Sequence, residues 1–466
     1  MPDIVPSLAA VVGTDHVLTD GLDAYAVDWR RKFRGRPLAV VRPASVAEVA
    51  GCIRTCRDHR VSVVPQGGNT GLAAGATPDM SGRQIVLSLS RMNRVRSIDR
   101  TSMTIEVEAG CPLAVAQQHA DEVGRIIPLR LASEGTAQIG GLVATNAGGI
   151  NVLRYGSTRH FTLGVEAVLA DGTIVDALRH LRKDNAGYDW KQLLVGSEGT
   201  LGIVTAAVLR LMPMPRYTVT ALLSVPGPAD AVKILEALQT ELGEAISAFE
   251  FMSSGSVDLV RRHRGHDVPI ALARWYLLVE LTSNISGLAA DTQEALAAVL
   301  DSGLAIDCVL ASSRQQASEL WNIRESITES EQLAGGSIKH DVSVPTASLP
   351  AFLDQAVAAV EKSFPSAICS LFGHLGDGNI HFNVVAPEPA EPINRIVHDL
   401  IVYHGGSISA EHGIGAYRVD ELVRCKPAAE LDLMSRIKRS FDPYDILNPG
   451  KVIAASDPET GRPGRL

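Results

Sequence analysis

Residues 61–71 read Val-Ser-Val-Val-Pro-Gln-Gly-Gly-Asn-Thr-Gly. The β-branched run predicts a short strand, and it enters a loop holding three glycines. Glycine tolerates positive φ and close backbone approach, so successive N–H groups of such a loop can curl into a nest for an anion. Upstream, Val46, Val49, Ala50 and Ile53 share one stripe and predict a helix over 46–60. Downstream, strands are expected at 85–89 and 104–107, and a helix over 112–123. A second small-residue stretch follows, Ile139-Gly-Gly-Leu-Val-Ala-Thr-Asn-Ala-Gly-Gly149, against which a planar ligand could lie. Residues 165–175 form a hairpin pattern around Asp171-Gly172. This mixture of helices and short strands argues an α+β domain over 1–215, with Pro213, Pro215 and Arg216 marking its end. There is no G-x-G-x-x-G after a strand and no Walker A sequence, so the usual dinucleotide fingerprint and the P-loop are excluded.

Past that boundary, strands are expected at 217–224 and 276–282 and helices at 228–243 and 286–302. That order predicts a second, α/β domain over 216–425, one sheet backed by helices. Residues 426–466 form a tail with a helix over 428–440.

A hairpin inside the second domain carries the chemistry. Residues 371–383 read Leu-Phe-Gly-His-Leu-Gly-Asp-Gly-Asn-Ile-His-Phe-Asn. Asp377-Gly378 signals a two-residue turn, which pairs Gly376 with Asn379, Leu375 with Ile380 and His374 with His381. Two imidazoles opposed on one face of an antiparallel pair can grip one metal ion. Asn383 points the same way. Thirty residues on, Ser409-Ala-Glu-His-Gly-Ile-Gly415 offers Glu411 as third ligand and His412 as base. Two histidines and a carboxylate leave positions open for substrate. One histidine alone would read as a surface residue. Asp377 is read as a turn residue, and His160, His340 and His404 as structural or surface.

Bulk properties narrow the class. The chain has 466 residues, more than one hydrophobic core organises, so several domains are expected. A formal net charge of −9 argues against broad nucleic-acid binding. Six scattered cysteines, with Cys52 and Cys56 four apart and no second pair, are neither a disulfide framework nor a zinc ribbon. The N-terminus lacks a signal-peptide pattern, and no apolar run approaches 18 residues. Cytoplasmic residence is expected, with peripheral membrane contact left open.

Several stretches resemble a known family. These are Val64–Gly71, Ile139–Gly149, Gly196-Ser-Glu-Gly-Thr-Leu-Gly-Ile203 and Asp442-Pro-Tyr-Asp-Ile-Leu-Asn-Pro-Gly-Lys451. They resemble flavoproteins of the vanillyl-alcohol-oxidase (p-cresol methylhydroxylase) type. The hairpin and 409–415 narrow the likeness to FAD-dependent D-2-hydroxyacid dehydrogenases, the group that includes D-2-hydroxyglutarate and D-lactate dehydrogenases. The resemblance spans about residues 25–453. It implies a two-part FAD-binding domain and a substrate (cap) domain. It implies that Pro65, Gln66, Gly67, Gly68, Asn69, Thr70 and Gly71 cradle the pyrophosphate of FAD. It places Gly135, Thr136, Gly140, Gly141, Thr145, Asn146, Gly149, Glu198, Gly202 and Ile203 along the flavin and adenine. Asn448 returns to the flavin from the tail. Some relatives tether FAD through a histidine in the first loop. Asn69 stands in that region here, so FAD is expected to be non-covalent.

The resemblance also implies that Arg324 and Lys339 bind substrate carboxylate. Residues 317–331 read as one amphipathic helix, which puts Thr328 on the face of Arg324 and adds a third donor. Three donors suit a substrate with a second carboxylate and favour D-2-hydroxyglutarate over D-lactate. In the expected reaction, His374, His381 and Glu411 bind Zn²⁺ or Mn²⁺, Asn383 meets the C1 carboxylate, His412 takes the hydroxyl proton, and flavin N5 takes the hydride. The electron acceptor is expected to be an electron-transfer flavoprotein or quinone rather than NAD. An oxidase, a silent flavoprotein subunit, a flavin-free metal hydrolase and a homodimeric assembly stay open at this point.

Overall fold

The computed structural model describes residues 4–454 of the chain. It divides into two compact units. The first comprises residues up to Gly149, Ser157–Met214 and Glu411 onward, and the second Ile150–Gly156 and Pro215–Ala410. The chain thus returns to the first unit at 411 rather than at the expected 426, and seven residues near 150 belong to the second.

The first unit holds two main sheets. One has four strands in the order Val17–Leu18, Ala39–Val41, Gln84–Ser88 and Ser62–Gln66, and its last three are parallel. Helix Val46–His59 packs on it through Val49, Cys52, Ile53 and Cys56, all fully buried with Val63, Ile85 and Leu87. Ser45 caps that helix by accepting the Glu48 N–H at 3.2 Å. The other sheet has five antiparallel strands, in the order Val95–Asp99, Thr104–Glu108, Ile203–Arg210, Thr162–Val168 and Ile174–Ala177. Its apolar face forms a second core with helices Leu113–Asp121 and Ile139–Thr145.

The second unit is built on one seven-stranded sheet. Its order is Asp307–Leu310, Tyr217–Val225, Trp275–Ser283, Ile246–Ser253, Ile368–His374, Asn379–Val385 and Asp341–Ser343. The sheet is backed by helices as expected, but every ladder in it is antiparallel. On one face Leu222, Ala248, Met252, Tyr276, Leu278 and Phe372 pack with Leu320, Trp321, Ile323 and Ile327 from helical residues beyond 314. Those helical residues are two helices, Arg314–Glu325 and Ile327–Leu333, broken at Ser326, where ψ opens to −7°. The single helix expected over 317–331 is therefore absent, and the four-residue spacing of Arg324 and Thr328 does not place them on one regular face.

Among the described residues no helix is long and apolar enough to cross a membrane. Among the described residues no cysteine is in a disulfide, and burial pushes the Cys52 thiol up to about 12.

Candidate active site

In the first unit, loop 65–71 lines a cleft with Gly140, Gly141, Thr145, Glu198, Gly202, Ile203 and His412. The cleft contains about 890 Å³ of non-atom space, part of it open to solvent. Side chains of the loop anchor it from behind. Gln66 donates through Nε2 to the carbonyls of Tyr25 at 3.0 Å and Ala76 at 2.8 Å, and Asn69, at φ 51°, donates to the Val27 carbonyl at 2.9 Å. Backbone packs directly on backbone here. A Cβ on Gly68 would lie 1.9 Å from the Thr136 carbonyl oxygen. By contrast, a Cβ on Gly71 or Gly141 would meet no atom within 4 Å, so these glycines border open space. Gln138 lines the same cleft, and its buried Oε1 has no hydrogen-bond partner among the described residues. Open glycine walls and an unsatisfied polar atom fit a bound ligand with polar groups.

Glu198, which lines the cleft as expected, and Asn448 and Gly149 each also hold a structural contact. Glu198 is half-buried at the cleft wall and accepts the N–H of Ile414 at 2.7 Å and of Gly415 at 2.8 Å. Burial raises its carboxyl pKa, against the pull of those two N–H groups. Asn448 holds the turn that carries Glu198 and donates to the Gly75 and Glu198 carbonyls at 2.9 and 2.8 Å. Gly149 donates its N–H to Glu411 Oε1 at 2.5 Å. The loop holding Glu411 and His412 is irregular, with positive φ at Gly413 (75°) and Gly415 (53°). Gly135, Thr136, Asn146, Gly149 and Asn448 do not line the cleft itself.

The second unit contains the histidine pair. The hairpin turn is longer than its Asp-Gly dipeptide suggested. Leu375–Asp377 makes a 3₁₀ turn, Gly378 takes the left-handed conformation at φ 79°, and the register is His374↔Asn379, Gly373↔Ile380 and Phe372↔His381. The imidazoles are therefore diagonal rather than directly opposed. Diagonal neighbours still share a face, and their ring centroids are 5.7 Å apart, with ring nitrogens within 4.8 Å of each other. Asp377 accepts the Asn379 N–H at 3.0 Å, a turn role.

Two wholly buried carboxylates not read from the sequence, Glu250 and Glu331, stand in this unit. Glu250, wholly buried on strand Ile246–Ser253, accepts from His374 Nδ1 at 2.5 Å and from Arg324 Nε at 2.7 Å. Glu331, also wholly buried, accepts from Lys339 Nζ, from Asn383 Nδ2 on both oxygens, each at 3.0 Å, and from the Ser337 hydroxyl at 2.8 Å. Asp341 pairs in register with His381, whose Nδ1 lies 3.7 Å from Asp341 Oδ1. Arg324 and Lys339 are thus each already matched by a carboxylate. Arg324 also stacks over Phe372 at 4.5 Å, and its four Nη–H donors are the part of the fork beyond Glu250. Thr328 is exposed in helix Ile327–Leu333. His340 is buried and bonds to the Phe382 carbonyl, His160 closes a helix cap with Ser157, and His404 meets Gln355. Ala410, the last residue of this unit, donates its N–H to the Asp341 carbonyl at 3.1 Å.

A family profile described as FAD linked oxidases, C-terminal domain, matches residues 214–452, and one described as FAD binding domain matches 37–178. The chain belongs to the FAD-linked oxidase family. D-2-hydroxyglutarate dehydrogenase, mitochondrial, from Bos taurus is 41% identical over 94% of this chain and 81% of that protein. D-2-hydroxyglutarate dehydrogenase from Stutzerimonas stutzeri is 35% identical over 97% of this chain and 99% of its own length. The fold also resembles solved p-cresol methylhydroxylase, with a TM-score of 0.75 at 18% identity over 96% of both chains. The FAD-linked oxidase assignment makes this chain an FAD-dependent oxidoreductase, and the open glycine-walled cleft of the first unit fits that cofactor.

Proposed function

We propose that the chain oxidises a D-2-hydroxy acid, D-2-hydroxyglutarate foremost, to the 2-oxo acid, with FAD held by loop 65–71 and by residues 138–145, and a divalent metal held by His374, His381 and Glu411. The observation that carries this reading is the imidazole pair. Glu250 occupies His374 Nδ1, which leaves Nε2 as the ligating nitrogen, the arrangement common to metal-bound histidines. The substrate follows the relatives named above. When bound, FAD supplies a hydride acceptor and the metal a Lewis acid.

The chain's own residues do the rest. His412 accepts the C2 hydroxyl proton, while the C2 hydrogen departs as hydride and the C–O bond becomes a carbonyl. The Nη groups of Arg324, with Lys339, hold carboxylate, whereas Thr328, exposed on the helix past the Ser326 break, loses the helix-face argument that joined it to them. Asn383 contributes a polar contact from a position fixed by Glu331. Because Glu250 and Glu331 already match both cations, these hold a carboxylate through the geometry of their remaining N–H donors more than through net charge. Electrons then pass to an electron-transfer flavoprotein or quinone. Cysteines without disulfides accord with a reducing compartment such as the cytoplasm.

The test is anaerobic bleaching of the bound flavin near 450 nm by D- and L-2-hydroxyglutarate and D-lactate. D-2-hydroxyglutarate should bleach fastest. Glu411→Gln should lose metal, and His412→Ala should keep metal and flavin but not bleach. Equal bleaching by the L enantiomer, or full rate after exhaustive chelation, would overturn the reading.

A further inference from the structure

The four groups around Glu250 form a closed ring of contacts. Glu250 joins Arg324 to His374. His374 faces His381, His381 lies against Phe372 with centroids 4.9 Å apart, and Phe372 carries the Arg324 guanidinium at 4.5 Å. Glu250 stands directly opposite His374 in the sheet register and is wholly buried, on the sheet face otherwise occupied by Ala248 and Met252. A carboxylate there is costly to the fold, and an apolar residue would pack the same core more cheaply. Its two hydrogen-bond partners, Arg324 and His374, justify it.

We infer that Glu250 is a positioning residue that couples the metal site to the substrate-carboxylate grip. This rests on the reading above, in which His374 ligates metal and Arg324 holds substrate. One oxygen fixes the His374 tautomer so that Nε2 faces the metal. The other fixes the guanidinium fork so that its Nη groups face the substrate. A carboxylic acid bound on the fork and a metal bound on the imidazole therefore share one anchor, and binding of either strengthens the other by the same factor.

The experiment measures Zn²⁺ dissociation constants by chelator competition, with and without the product 2-oxoglutarate, on flavin-loaded enzyme. In the unaltered enzyme 2-oxoglutarate should tighten zinc several-fold. Glu250→Gln should weaken zinc by about 10–100-fold, and the tightening by 2-oxoglutarate should fall to about one-fold, with flavin content unchanged. Arg324→Lys keeps the charge but lacks the fork, so it should lose the tightening while zinc affinity without 2-oxoglutarate stays within a few-fold. That variant decides the matter if Glu250→Gln does not fold. His374→Ala is the control for the underlying reading. If it binds zinc as well as the unaltered enzyme, the metal assignment fails and the coupling falls with it. If it loses zinc while Glu250→Gln and Arg324→Lys match the unaltered enzyme in both quantities, the metal assignment stands and the role of Glu250 is overturned.

Discussion

Replacing Glu198 by glutamine should slow the chemical step without emptying the flavin cleft. The carboxylate receives the N–H groups of Ile414 and Gly415 at 2.7 and 2.8 Å and thereby fixes the loop that begins with Glu411-His412. Gly413 presses on the same group, since a Cβ there would lie 2.6 Å from Oε1. Glutamine keeps one acceptor oxygen and turns an NH₂ toward the other backbone N–H. One charge-assisted bond worth about 1.5–3 kcal/mol is lost, and a buried donor is left unpaired at about 1–3 kcal/mol. Relief from burying a charge offsets part of this, so a net loss of about 1.5–3 kcal/mol in loop docking is expected. That corresponds to about a 10–100-fold fall in the population with His412 in place. Anaerobic stopped-flow reduction of the flavin should slow by that factor at saturating substrate, with KM within a few-fold and absorbance near 450 nm intact. The pH dependence gives a second readout. Burial raises Glu198 above its ordinary 4.5, so its contribution to stability is fully present below about 4.5 and is lost as pH rises through the folded-state value. Glu198→Gln should remove that downward slope. A reduction rate within twofold of the unaltered enzyme would refute the argument.

Gly68→Ala should abolish flavin retention on gel filtration, because the Thr136 carbonyl must retreat by about 1 Å to clear the new Cβ. Lys451 is buried, which lowers its pKa from 10.5 to about 8. Stability should therefore rise between pH 8 and 10.5, by about 3 kcal/mol at most, and Lys451→Met should flatten that rise in urea titrations. Lys339→Met strips wholly buried Glu331 of its cation. It should lower stability by about 1.5–3 kcal/mol and raise KM for a dicarboxylic acid, whereas an unchanged urea midpoint would contradict the pairing.

Local pattern carried much of the fold. Helix Val46–His59, strand Ser62–Gln66, helix Pro228–Leu242 and strand Tyr217–Val225 lie where periodicity placed them, because each buries one clear stripe or run. The hairpin shows where local signals stop. Asp377-Gly378 marked the bend, but loop length follows from packing. A Cβ on Gly376 would strike Leu153 at 2.6 Å, and one on Gly378 would strike the Val344 carbonyl at 2.1 Å, so both glycines serve close approach within a longer turn. The helix break at Ser326 has no sequence signal as strong as proline or glycine. Strand Ile246–Ser253 went unread, and with it Glu250, although a lone carboxylate inside the apolar run Ala248-Phe-Glu-Phe-Met252 was the available clue. Glu331 offered no clue at all. Its importance comes from Lys339 and Asn383, which only the fold brings to it.

The chain passes between the two units four times, because Ile150–Gly156 is separated from the rest of the second unit by 58 residues of the first, Ser157–Met214. Leu153 fits against Gly376, and Arg154 reaches the Thr282 carbonyl at 2.6 Å. A recombination event that exchanged only residues 215–410 would leave this short helix facing a foreign surface. Swapping the second unit for another in this architecture therefore requires two simultaneous grafts, a constraint that ties its inheritance to that of the first.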